Sequence, residues 1–136
     1  MKRPATNRRR PVVHITLARA ARLHRLVTIL ATSQTEREAL LERLTIGLRT
    51  FYRELDLLKR CGIKVRRDGK AYHLAGTVGE AEGRLPFPDP QLSFAEMAEL
   101  AKHPGEAAAR LAEILKSVVE PPAPAPKKSR RTKKTP

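Results

Sequence analysis

With Phe51 taken as the buried centre of a helix, Arg49, Arg53, Asp56 and Arg60 fall within about 40° of the opposite pole. Three guanidinium groups on one outward face suit guanine and phosphate, because each can donate two parallel hydrogen bonds to guanine O6 and N7 or to phosphate oxygens. The first turn of such a helix is the part that reaches base edges, which nominates Leu48, Arg49, Thr50 and Arg53 as base contacts. Leu48 and Thr50 suit a thymine methyl. Tyr52 and Arg60 are candidates for backbone phosphates. Arg66, Arg67 and Lys70 surround Asp68-Gly69, a hairpin-turn dipeptide, and would brace on the backbone beside the helix as a wing.

Positioning these residues requires a frame, and the hydrophobic periodicity supplies one. Leu23, Leu26, Val27 and Leu30 make one stripe of a helix over Ala18 to Ala31, with Arg22 and Arg25 on its far side and Thr16 as a candidate cap. Ser33 or Thr35, each three residues before a glutamate, can cap a second helix of about ten residues whose apolar face is Leu40, Leu41 and Leu44. Thr45-Ile46-Gly47 is a tight link to the third helix, where Leu48, Phe51, Leu55 and Leu58 share a face and Gly62 is the stop. Two short strands follow, alternating Ile63 and Val65 against Lys64 and Arg66 and returning through Tyr72 and Leu74.

The expected fold is mainly α with a small β-hairpin wing, a winged helix-turn-helix, followed by a short helical hairpin and disordered basic tails. The domain plan has a basic arm over 1–15, the winged domain over 16–76, a Gly- and Pro-rich linker over 77–91, a helical hairpin over 92–119 and a Pro-rich basic tail over 120–136. In the hairpin, Ser93-Phe-Ala-Glu96 is a capping box and His103-Pro104 opens a helix carrying Ala108, Leu111, Leu115 and Val118 on one face. That stripe needs a cover, either a second copy in a homodimer through 93–119, another protein, or the winged domain itself.

The chain has 28 Lys or Arg against 14 Asp or Glu, a formal charge of +14. The two ends carry all of the excess, and residues 26–126 are neutral as a whole. Arg8, Arg9 and Arg10 suit a minor groove, while Lys127, Lys128, Arg130, Arg131, Lys133 and Lys134 suit nonspecific contact through counterion release. Double-stranded DNA is therefore the expected partner.

Other chemistries find little support. His14, His24, His73 and His103 have no spacing that suits a metal, and His24 fits a packing role. Glu54 and Asp56 lie on different helix faces, so no catalytic pair is formed, and neither an enzyme nor a cofactor is expected. Cys61 reads as a helix-end packing residue, and a single cysteine suits a reducing compartment. No apolar run approaches the roughly 20 residues of a membrane span, so a cytoplasmic, nucleoid-associated protein is expected.

Leu44 to Val65 and Asp68 to Leu74 together resemble the DNA-binding half of bacterial DeoR-type and WYL-domain transcriptional regulators. Arg49, Thr50, Arg53, Leu58, Gly62, Ile63, Val65, Tyr72 and Leu74 fall on that family's pattern. Arg22 to Leu26 resembles its first helix, and Pro90 to Glu96 is similar to the segment leading to the WYL domain. Gly47 stands where the family has a Ser or Thr cap, and Glu54 replaces an Asp. The resemblance implies a winged helix-turn-helix regulator of transcription. The WYL domain has no counterpart in these residues, so no small-molecule effector is expected.

Overall fold

The computed structural model describes residues 13–120, and the described chain divides into two compact units between Asp89 and Pro90. The first is mainly helical with a small three-stranded antiparallel sheet. Its elements run α1 (Leu17–Thr32), β1 (Thr35–Glu36), α2 (Arg37–Leu44), α3 (Leu48–Arg60), β2 (Val65–Asp68), β3 (Ala71–Leu74) and α4 (Val78–Glu82). The second holds α5 (Phe94–Leu100) and α6 (Glu106–Val119). The basic arm and tail, with Arg8, Arg9, Arg10, Lys127, Lys128, Arg130, Arg131, Lys133 and Lys134, lie outside the described residues.

Thr16 caps α1 by accepting a hydrogen bond from the Arg19 backbone N–H at 3.1 Å, and the expected stripe Leu23, Leu26, Val27 and Leu30 is buried. Helix α1 packs on α2, α4 and β3. Phe51, Leu57, Leu58, Ile63, Tyr72 and Leu74 complete the core around it.

The second helix departs from expectation at its start. Ser33 closes α1 instead of opening α2, and Thr35 is buried in β1, paired with Tyr72. The cap is Glu36, with no side-chain hydrogen bond. The physical reason is competition: Thr35 and Glu36 pair with β3 as a third strand, in the sheet order β1-β3-β2, and the Thr35 hydroxyl donates to Ser33 O at 3.2 Å instead of capping α2.

Between α2 and α3, Thr45 adopts φ 54°, ψ 54°, so that its N–H reaches Glu42 O at 3.2 Å and the Ile46 N–H reaches Leu41 O at 3.0 Å. The end of α3 is a Schellman motif, with Gly62 at φ 83°, its N–H on Lys59 O and the Ile63 N–H on Leu58 O. In the hairpin, Asp68 pairs with Ala71, so the two central turn residues are Gly69, at φ 67°, and Lys70. A left-handed glycine at the first central position is the pattern of a II′ turn.

Residues 77–91 are not simply a linker. Thr77 and Glu80 form a reciprocal capping box on α4, Ala81 is buried, and Leu85 packs against the core. Helix α4 has only five residues, too few for a periodic signal, and Gly76, Gly79 and Gly83 mask it; Thr77-x-x-Glu80 was the available clue. His24, expected to pack at the edge of the apolar face, is exposed and pairs with Glu82 of α4 at 2.7 Å.

In the second unit, Ser93 and Glu96 form the expected capping box of α5. Helix α6 begins at Glu106 behind Gly105, later than His103-Pro104, because Gly105 at φ 116° turns the chain into it. Helices α5 and α6 pack on each other, yet neither has a buried residue.

Candidate nucleic-acid interface

Helix α3 buries Phe51, Leu57 and Leu58, which turns the arginine stripe outward. Leu48 and Tyr52 are 47% and 42% exposed, and Arg49, Arg53 and Arg60 are exposed as well. Together with Asp56 and with Arg19 of α1 they line a single open groove. Thr50 is half-buried and does not line it.

Helix α3 is tied to α1 by Glu54, which is 1% exposed. Its Oε1 accepts from Arg19 Nε at 2.8 Å and from Nη2 at 2.7 Å, and its Oε2 accepts from Arg22 Nη1 at 2.7 Å. A buried carboxylate is tolerated only when paired and hydrogen-bonded, and here both oxygens are. Arg22 thus faces α3, not the far side of α1. The clue was positional, since Glu54 stands three residues after Phe51 and four before Leu58, on the buried side of α3.

The basic residues of the hairpin do not act as one group. Arg67 is paired with Tyr72 and Arg66 with His73, and directly paired residues share a sheet face while neighbours along a strand alternate. Arg66 therefore lies on the opposite face from Arg67, lining a cavity with Lys59 and Lys64. Arg67 and Lys70 instead line a cleft with Arg37, Glu38 and Tyr72.

Arg37 was not singled out from the sequence, and it joins this cleft to the α3 groove. Its Nη1 donates to Tyr52 Oη at 2.9 Å and its Nη2 to Glu38 Oε2 at 3.0 Å. The bond from Arg37 holds the Tyr52 hydroxyl below the usual phenol range, whereas burial pushes Tyr72 up. Phe51 packs edge-to-face on both tyrosines, at centroid distances of 5.3 and 5.4 Å. The Glu38 carboxyl is held below its ordinary value first by its own backbone N–H at the start of α2 and then by Arg37.

Among the described residues no cluster of His, Cys, Asp and Glu could hold a metal, and no helix is long and apolar enough to cross a membrane. Fold and site together define a small, mainly helical protein with a cationic helix face beside a three-stranded sheet. No protein-family model matches the chain, and no curated protein or solved structure is significantly similar to it.

Proposed function

We propose that this protein is a DNA-binding regulator of transcription with a winged helix-turn-helix domain, reading the major groove through α3 and bracing with the β2–β3 hairpin. The observation that carries the reading is the α3 groove, where Leu48, Arg49, Tyr52, Arg53 and Arg60 are presented together while the opposite side of the helix is core. The element order helix, strand, helix, helix, strand, strand and the sheet order β1-β3-β2 agree with a winged helix. The DeoR-type resemblance belongs to this reading, as does a homodimer through residues 93–119.

Selection from random duplex DNA at about 0.15 M salt tests it. The expected result is an enriched motif bound about 10³-fold or more above scrambled DNA, two-fold related if the protein binds as a dimer. Arg49→Ala and Arg53→Ala should each lower that discrimination by about 1–3 kcal/mol. Equal losses on preferred and random DNA would favour an architectural, nucleoid-type protein, and no DNA binding at all would favour a protein-binding adaptor.

A further inference from the structure

We propose that the cleft between the first turn of α2 and the β2–β3 turn, walled by Arg37, Arg67 and Lys70, is a cradle for one phosphate of the bound duplex. The proposal rests on the DNA-binding reading and adds to it a site outside α3.

Its size points to a small group. The cavity holds about 230 Å³, below the roughly 300–1,000 Å³ of pockets for drug-sized ligands. Its charge points to an anion. Three cations line it against the single carboxylate of Glu38, and that carboxylate is already engaged by Arg37 Nη2 at 3.0 Å.

Donors without acceptors make the chemistry more specific. Arg37 Nη1 and Nη2 each spend one N–H, on Tyr52 and Glu38, which leaves each nitrogen a second N–H to donate, while the Nε–H is enclosed by protein and meets no acceptor. Tyr52 Oη accepts from Arg37 Nη1 at 2.9 Å, so its own proton is left to donate elsewhere. Arg67 is held at the turn by its Nε bond to Gly69 O at 2.9 Å, and the Arg37 backbone N–H is tied to Lys70 O at 3.3 Å. These bonds preorganise the walls before any ligand arrives.

The occupant is a duplex phosphate because Tyr52 belongs to both places. It lines the α3 groove and is hydrogen-bonded to the cleft's central arginine, so DNA seated on α3 brings its backbone alongside. Phosphate contacts of this kind fix register without reading sequence. Free phosphate shares the chemistry, and the test separates the two.

The full-length, ¹⁵N-labelled chain is titrated with its selected duplex and, separately, with inorganic phosphate, following the Arg37 Nε–H signal and the Gly69 and Lys70 amides. Affinities of wild type, Arg37→Ala and Lys70→Ala are measured against salt, with circular dichroism verifying that each variant is folded. The duplex should move all three signals. Arg37→Ala should weaken preferred and random DNA alike and lower the salt slope by about 0.9, the value of one lost phosphate contact; Lys70→Ala, at an exposed turn position, should act in the same direction. If the duplex shifts α3 amides but leaves the cleft still, the cradle is overturned and the DNA-binding reading stands. Cleft shifts with inorganic phosphate alone assign it to a free phosphate and also overturn the proposal. No shift anywhere with duplex removes the DNA-binding reading itself, and the cradle with it.

Discussion

Helices α3 and α6 are nearly equal in length, 13 and 14 residues, but α3 has Phe51, Glu54, Leu57 and Leu58 buried whereas α6 has no buried residue. Their sequences are suited to those situations. Helix α6 opens Glu-Ala-Ala-Ala-Arg-Leu-Ala-Glu, among the strongest helix formers, and needs little help from neighbours. Helix α3 contains Thr50, Phe51, Tyr52 and Asp56, all weaker formers, and depends on packing to hold its shape. The helix that presents the candidate interface is therefore the one whose geometry the core dictates.

The largest expected effect follows from that dependence. Phe51→Ala raises helix propensity, yet it should destabilise the protein by about 3–5 kcal/mol, because it empties the middle of the core and removes the support of Tyr52 and Tyr72. Val118→Ala in α6, at a position 62% exposed, should change stability by less than about 0.5 kcal/mol. Urea unfolding of both variants checks the contrast. A concentration-dependent loss of 1 kcal/mol or more in Val118→Ala would break it, showing α6 covered by a second copy in solution.

A smaller effect separates charge from packing within α3. Glu54→Gln keeps the shape but leaves Arg19 and Arg22 facing a neutral amide. The expected cost is about 1–3 kcal/mol, toward the lower end because the two arginines retain 28% and 32% of their side-chain exposure. A lowered denaturation midpoint with an unchanged slope is the signature. Should stability rise instead, the pair would be serving orientation at the expense of stability, and DNA affinity would then be the quantity to fall.

What was legible in the sequence follows the same division between local and tertiary causes. The α1 stripe, the outward arginines of α3, the Gly62 stop and the hairpin all rest on spacing within one element, and spacing is visible in a chain. Strand β1 was not visible, since two residues carry no period and Thr35 is claimed by Tyr72, which lies 37 positions further along. Helix α4 was hidden by its glycines. The Arg37 cleft was hidden for a deeper reason: Arg37, Tyr52, Arg67 and Lys70 come from separate elements, and only the sheet register assigns Arg67 to one face and Arg66 to the other. The function expected of the α3 face remains a proposal that the selection experiment decides.

The smallest effect contrasts two turns. Thr45 and Gly105 both sit at positive φ, 54° and 116°, each at a helix boundary. In the second unit the position is a glycine, with nothing within 4 Å of where a Cβ would be, and no buried core stands behind it. In the first unit a β-branched threonine is held left-handed, a conformation that costs about 1–2 kcal/mol outside glycine. It is tolerated because Leu41 and Ile46, packed on the core on either side, over-determine the turn through the Ile46 N–H to Leu41 O bond. Thr45 is exposed, so Thr45→Gly removes the strain without opening a cavity. Glycine's greater freedom in the unfolded chain takes back roughly 0.5–1 kcal/mol, leaving a net gain of about 0.5–1 kcal/mol. That corresponds to a rise of a few degrees in Tm. A drop in Tm would mean that the threonine side chain contributes more to the α2–α3 turn than its backbone strain removes, and the order of the two turns would reverse.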